Sequence, residues 1–301
     1  MKVLVIIVTY NGKQWYKRCF DSLRASQIPV NVVVVDNSPT DETAGFIKEN
    51  YPEIHCIKPA ENLMFGQGNN IGIKYALENS ADYVLLLNQD AWLIAEDTVS
   101  ELVRISKENT EYGIISPVHL NKEENEIEKL LLRRFFDYQT TDKEIFNDLY
   151  FNRLKDIYET KYINAAAWFI SRKTLEIVGG FDPFFLHYGE DDNYLNRLFY
   201  HGLKLGICPK LRIVHDNDRP RALYDSREEE VLLSIELTNV NQNYSYRKEI
   251  LLSLQKTLTN LLKLRISRAK IWQRRLQFLW KNYEKLQISV NKNRQKALNW
   301  L

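Results

Sequence analysis

An α/β fold on a largely parallel central sheet is what this sequence predicts, and three observations predict it. Short apolar, β-branched runs recur at 3-VLVIIV-8, 32-VVVV-35 and 82-DYVLLL-87. Segments of helical character separate them. Polar residues follow each run directly: Thr9-Tyr10-Asn11, Asp36-Asn37 and Asn88-Gln89-Asp90. Continuous apolar runs mark strands covered on both faces, and their alternation with helices marks crossover units and a parallel sheet. In such sheets ligands sit beyond the carboxyl ends of the strands, so the three polar clusters form a candidate site.

The elements follow in order. After the first strand, Tyr10-Asn11-Gly12 breaks the chain, and Trp15, Cys19 and Leu23 share one face of a helix that Pro29 closes. The second strand ends at Asp36, and 37-NSPTDET-43 offers turn residues and N-caps ahead of a helix over Ala44 to Asn50. Residues 53–57 read as a third strand. Gly66, Gly68 and Gly72 punctuate a loop that leads into a helix over Ile73 to Asn79. Beyond the fourth strand, a helix with Val99, Leu102 and Val103 turned inward precedes 113-GIISPV-118. The charged stretch 121–161, with apolar patches at Leu130 to Leu132 and Phe135-Phe136, is expected to be a helical or mobile insertion. A strand at 163-INAAAWFI-170, the turn 179-GGFD-182, three consecutive acids Glu190-Asp191-Asp192, a helix through Tyr200 and a strand at 203-LKLGICP-209 complete a domain over 1–225. A basic helical region over 226–301 follows.

Composition bounds the function. The 301 residues carry a net charge of +2 and are 45% hydrophobic, enough for a substantial core. Charge is uneven: residues 247–301 hold 14 Lys and Arg against 2 Glu, so a mildly acidic body bears a basic tail. An acidic body argues against nucleic acid as a partner. Three scattered cysteines, Cys19, Cys56 and Cys208, form no CxxC pair and suit a reducing cytoplasm. The amino-terminal apolar run is too short for a signal-peptide core, and no run approaches the length of a membrane span. In the tail, Trp272, Leu276, Leu279, Tyr283, Leu286 and Val290 recur at spacings of 4, 3, 4, 3, 4. Three roles are open for this basic amphipathic helix: packing on the body, lying on an anionic membrane surface, or forming a homodimer contact.

The order and spacing of several pieces resemble the family 2 glycosyltransferases, over about residues 1–220. The pieces are VTYNG at 8–12, VVVDNSPTDET at 33–43, NLMFGQGNNIG at 62–72, LLLNQDA at 85–91, GGFDPFFLHYGEDDNYLNRLFYHGLKL at 179–205, and Val214-His215. The chain looks most like the bacterial branch that builds surface polysaccharides, including rhamnosyltransferase-like proteins. This resemblance implies a GT-A fold and a nucleotide-diphosphate sugar as donor. It implies that Thr9, Tyr10 and Asn11 line the nucleotide pocket, that Asp36 accepts a hydrogen bond from the base, and that Gly66 to Asn70 lie along the donor. Asn88-Gln89-Asp90 falls where the family has DxD, with Asp90 as ligand of a Mg²⁺ or Mn²⁺ ion and His215 completing the metal or diphosphate site. Asp191 is the implied general base, with Glu190 or Asp192 orienting or solvating it.

Chemistry is consistent with those roles. A departing diphosphate gains negative charge that a divalent cation stabilises, and the attacking hydroxyl must give up a proton that a carboxylate accepts. Phe184, Phe185 and Tyr188 are positioned in sequence to shape an acceptor pocket. Asn88 departs from the family pattern: with an amide in place of the first acid, one charge is lost from the cation site. The expected function is an inverting transfer of a sugar onto a hydroxyl of a glycan or lipid-linked acceptor. The expected location is the cytoplasm, at the inner face of the membrane if the tail docks there. The alternative is a non-catalytic nucleotide-sugar-binding or scaffold subunit, the role that Asn88 favours.

Overall fold

The computed structural model describes residues 1–40, 42–135, 144–217 and 227–301. The strands are β1 Val3–Thr9, β2 Asn31–Asp36, β3 His55–Ile57, β4 Tyr83–Leu87, β5 Ala91–Leu93, β6 Tyr112–Leu120, β7 Tyr158–Thr160, β8 Ala167–Ser171 and β9 Lys204–His215. The helices are α1 Lys13–Arg24, α2 Glu42–Asn50, α3 Met64–Glu78, α4 Thr98–Glu108, α5 Lys129–Phe135, α6 Glu144–Tyr150, α7 Arg172–Val178, α8 Glu190–Tyr200, α9 Arg227–Leu237, α10 Tyr246–Leu262 and α11 Ile266–Asn293.

The sheet runs β3-β2-β1-β4-β8-β6-β9-β5, with β7 paired to β9. β1 to β4 are mutually parallel, as the sequence predicts. The other half is mixed: β8 lies antiparallel to both β4 and β6, β6 is parallel to β9, and β5 and β7 are antiparallel to β9. An apolar run reads the same in either direction, so β8 carries no sequence signal of its reversal. Separate apolar cores fill the two sides of the sheet. Leu4, Ile6, Val84, Leu86 and Trp168 face one core; Val3, Val5, Ile7, Leu85 and Phe169 face the other. The alternation follows the two-residue period of a strand.

One expectation is corrected. The glycines at 66, 68 and 72 lie within α3, which begins at Met64. They bring the helix close to its neighbours: a Cβ on Gly72 would stand 2.3 Å from Ile6 Cγ2, and one on Gly68 would stand 2.9 Å from Val8 Cγ1. Glycine costs helix propensity, so the absence of a side chain here serves close packing on β1. In the tail, part of the apolar stripe takes the packing role. Leu279 and Leu286 are buried, and with Phe278 they pack against Leu237 of α9 and Tyr246 of α10, with Tyr283 and Val290 alongside. The Leu279 to Val290 part of the stripe is therefore packed within the chain. The tail also docks on the GGFD turn: the buried Asp182 carboxylate accepts from Ser289 Oγ at 2.5 Å and Asn293 Nδ2 at 2.7 Å, and Gly180 N donates to Asn299 O at 2.8 Å.

Of the stretch 121–161, residues 136–143, including Phe136, lie outside the described residues, as do Asp41 and the 225/226 boundary. The described remainder is helical in α5 and α6, and its end adds β7 to the sheet.

Candidate active site

Adjacent strand ends bring the first two polar clusters together. Thr9 and Asp36 are register partners at the carboxyl ends of β1 and β2. Asp36 is fully buried; its Oδ1 accepts from Thr9 Oγ1 at 2.9 Å and Ser38 N at 3.1 Å, and Lys58 Nζ lies 3.3 Å from Oδ2. Asn11 adopts a left-handed backbone, φ 48°, and its N–H donates to Ser38 Oγ. A cleft of about 240 Å³ opens there, lined by Asn11, Gly12, Ser38 and Thr43 among others. Gln89 fastens this edge to β4: Tyr10 N donates to Gln89 Oε1 at 2.9 Å, and Gln89 Nε2 donates back to Tyr10 O at 3.2 Å. Tyr10 itself is exposed.

The second group assembles Asn88, Asp90 and His215, which are distant in sequence. β5 pairs with β9 so that Ala91 opposes His215. His215 Nε2 stands 3.6 Å from Asp90 Oδ1 and 3.3 Å from Asn88 Nδ2. On the other side of the ring, His215 Nδ1 stands 3.3 Å from Glu128 Oε1. Burial alone would lower the His215 pKa, but Asp90 and Glu128 outweigh it and hold the ring above its usual range. Two carboxylates around one imidazole leave surplus negative charge, and a carboxylate oxygen with an imidazole nitrogen is a reasonable donor set for a divalent ion completed by phosphate oxygens.

The acids Glu190, Asp191 and Asp192 occupy the first turn of α8, behind Gly189 with φ 88°. Asp191 Oδ2 accepts from Ala165 N at 3.0 Å. Asp191 keeps part of its surface open, whereas Glu190 is buried and its Oε2 has no hydrogen-bond partner among the described residues. A helix amino terminus stabilises carboxylates, yet here the balance runs the other way. Burial first, then repulsion from Glu190, raises the Asp191 carboxyl well above the usual range against the opposing pull of the Ala165 N–H. Burial and Asp192 likewise raise Glu190. Gly66 of α3 abuts this turn: a Cβ there would lie 3.8 Å from Glu190 Cβ.

Other candidates take up supporting positions. Asn70 clamps the GGFD turn, its Oδ1 accepting from Phe181 N at 2.6 Å and its Nδ2 donating to Phe181 O at 2.8 Å. Its amide is thereby committed to backbone. Phe184 and Phe185 stack edge to face; Phe185 is buried, and Phe184 packs against the tail helices. Tyr188, 58% exposed and with φ 68°, is the flanking aromatic that stays open.

Five contributors escaped the sequence. Asn164, Ala165 and Ala166, read only as strand, link the whole site: Asn164 Nδ2 contacts Glu128 Oε2, Ala165 N holds Asp191, and Ala166 O accepts from Asn88 N at 2.9 Å. Glu128 comes from the stretch without a motif, and His119 from β6; a bulge-like register shift in β6 precedes it. A histidine and an acid nine residues apart carry no signal until β6 and β9 are paired.

A family model, Glycosyl transferase family 2, matches residues 4–175. The chain belongs to this family. Among its relatives are a low-salt glycan biosynthesis hexosyltransferase, Agl10, of Haloferax volcanii, 25% identical over 74% of this chain and 69% of that protein, and a dTDP-rhamnosyl transferase, RfbF, of Shigella flexneri, 23% identical over 71% and 68%. The family 2 chain superposes on the fragment 1–349 of S. aureus TarS in complex with UDP-GlcNAc with a TM-score of 0.61 at 15% identity, covering 98% of this chain and 90% of that one. Against a longer TarS chain it spans 42% of that molecule. The mannosyltransferase PcManGT of Pyrobaculum calidifontis, in complex with GDP-Man and Mn²⁺, gives 0.57 at 17% identity, over 95% and 75%. At these identities the structural likeness speaks to the fold, which is GT-A-like.

Proposed function

We propose that this family 2 glycosyltransferase transfers a sugar from a nucleotide-diphosphate donor to a hydroxyl of a growing surface glycan or its lipid-linked precursor, with inversion at the anomeric carbon. The observation that carries the proposal is the Ala165-Ala166 dipeptide. One of its residues holds the Asp191 carboxylate and the next holds the end of β4 at Asn88. A candidate base and the candidate diphosphate site are thus tied to consecutive backbone groups.

In this mechanism the base of the nucleotide sits near Asp36, in the cleft beside Thr9, Tyr10 and Asn11. The amino terminus of α3, at Gly66, borders the donor. Asp90 would hold a Mg²⁺ or Mn²⁺ ion with the diphosphate, His215 would complete that metal or diphosphate site, and the ion would stabilise charge on the leaving group. Asp191 accepts the acceptor hydroxyl proton as the oxygen forms its bond to the anomeric carbon. The bond to the diphosphate breaks with its electron pair leaving on phosphate. The raised pKa of Asp191 suits a base, since efficient proton transfer calls for a pKa near the working pH. Nucleotide-diphosphate release from a panel of donor sugars tests the proposal. Slow donor hydrolysis, lost in Asp191→Asn with donor binding retained, supports it; donor binding with no turnover in any acceptor extract favours the scaffold alternative.

We further infer that the tip of the α10–α11 hairpin rests on an anionic membrane surface. Leu254, Leu258, Leu261 and Leu262 are exposed along α10, and Leu262 and Leu264 at the tip are 87% and 84% exposed. Lys263, Arg265, Arg268 and Lys270 surround them, and residues 250–283 contain no acid. Apolar side chains ringed by cations match the interface of anionic lipids, whereas a second copy of the same face would bring like charges together. Among the described residues no helix is long and apolar enough to cross a membrane.

A further inference from the structure

Among the described residues, three buried polar atoms without hydrogen-bond partners belong to residues gathered around one carboxylate: His119 Nδ1, His215 Nδ1 and Asn164 Oδ1. The carboxylate is Glu128, itself buried. Its Oε1 lies 3.3 Å from His215 Nδ1, its Oε2 lies 3.5 Å from His119 Nδ1, and Asn164 Nδ2 lies 3.4 Å from Oε2. Asn217 Nδ2 approaches Oε1 at 3.3 Å. Charge-assisted hydrogen bonds close to about 2.7–2.9 Å, so protons alone leave this cluster loosely joined. Orphaned polar atoms at such a depth call for a water or an ion.

We propose that His119, Glu128 and His215 bind a divalent transition-metal ion behind the donor site, with the Asn164 amide oxygen available as a fourth ligand. One ligand atom from each of the three residues falls within 4.8 Å of the others. Zinc–nitrogen and zinc–oxygen bonds of about 2.0–2.2 Å in a tetrahedron put neighbouring ligand atoms about 3.3–3.5 Å apart. Glu128 Oε1 already stands that far from His215 Nδ1, and Glu128 Oε2 that far from His119 Nδ1. An ion on one carboxylate oxygen would draw the three ligand atoms together from within 4.8 Å of one another. Two imidazoles with a carboxylate favour Zn²⁺ or a similar ion over Mg²⁺.

The His215 ring separates this site from Asp90. Its Nδ1 faces Glu128 and its Nε2 faces Asp90 and Asn88. An ion on Nδ1 takes the place of a proton there and leaves the other proton on Nε2. His215 then turns a fixed N–H toward the diphosphate position, and the donor's own ion rests on Asp90 and the phosphates. Only this last consequence depends on the proposed donor reading; the ion itself does not.

The test uses the full chain, stripped with a chelator and titrated with Zn²⁺ alone, then with Co²⁺ as a spectroscopic probe. The proposal expects one equivalent of Zn²⁺ and the intense visible bands of tetrahedral Co²⁺. X-ray absorption should count two imidazoles in the wild-type protein, a readout that needs no variant to fold. His119→Asn and Glu128→Gln should each weaken Zn²⁺ by more than the about 10–100-fold that an outer-sphere partner contributes, while Asp90→Asn keeps it. Absence of a stoichiometric ion, an ion with a single imidazole, or an ion lost in Asp90→Asn but kept in His119→Asn would overturn the site. Nucleotide-sugar binding to the same preparations separates the two questions: donor binding without Zn²⁺ sinks the ion alone, and Zn²⁺ without donor binding sinks the donor reading alone.

Discussion

Replacing Asp191 by Asn should divide activity from stability. Asn preserves the shape of the side chain and an oxygen for the Ala165 N–H, now 3.0 Å from the carboxylate, but cannot take a proton from an acceptor. Removing a general base costs about 10²–10⁴ in rate, or about 3–5 kcal/mol of transition-state stabilisation at 1.36 kcal/mol per decade. Stability should move the opposite way. Burial and Glu190 raise the Asp191 pKa above its unfolded value. Between the unfolded value, about 3.9, and the folded one, the native state binds more protons than the unfolded chain, so stability falls as pH rises through that window. Each unit of elevation corresponds to about 1.4 kcal/mol, or about 2 °C of Tm for a chain of this size. The variant should therefore melt at or above the wild-type temperature at neutral pH, and more clearly there than at pH 4. The assay is nucleotide-diphosphate release with acceptor present, beside thermal melts at both pH values. A rate loss under about tenfold, or a loss accompanied by a lower Tm, would show that Asp191 holds the 163–170 segment rather than acting as base.

Other expectations concern separate parts of the molecule. The acid limb of the wild-type kcat profile should lie above the ordinary carboxylate range, because the base must be ionised and both Asp191 and Glu190 are raised; a profile flat down to pH 4 would contradict this. Asp90→Asn should abolish the part of the nucleotide-diphosphate thermal shift that depends on Mn²⁺ and leave the apo Tm within about 2 °C; an unchanged shift would remove Asp90 from the donor site. Gly72→Ala should destabilise by about 1–3 kcal/mol in urea melts, since its Cβ would meet Ile6 at 2.3 Å; the gain of about 1 kcal/mol expected from helix propensity alone would mean that α3 is free to shift. Leu262→Glu with Leu264→Glu should reduce sedimentation with phosphatidylglycerol vesicles at least tenfold while donor hydrolysis in solution is unchanged; no vesicle binding by the wild-type chain would refute the hairpin contact.

Much of the architecture was legible before any coordinates. Runs such as Val3–Val8 and Val32–Val35 are apolar on both faces, which has few solutions other than a covered sheet, and polar residues after a buried strand mark where the backbone returns to solvent. Hence the positions of Thr9, Asp36, Asn88 and Asp90 at strand ends could be read directly. The acids at 190–192 likewise announced a helix start. The glycines at 66–72 misled because glycine usually signals a turn, whereas here it permits helix and strand to approach. The 4, 3 stripe of the tail was real, but periodicity reports an apolar face and not its occupant; α9 and α10 cover it from Leu279 to Val290.

By itself, then, the sequence determined the elements, the parallel half of the sheet and the list of polar residues at its edge, because these follow from local periodicity and from where buried runs stop. Tertiary structure alone decided which of those residues meet. Strand reversal at β8 puts the main chain of Ala165 and Ala166 between Asp191 and Asn88, and backbone groups have no signature in sequence. Pairing of β5 and β6 with β9 brings Asp90, His119 and His215 together with Glu128. The direction of the Asp191 pKa was decided there as well, since a helix amino terminus lowers a carboxyl only until burial and a neighbouring acid outweigh it.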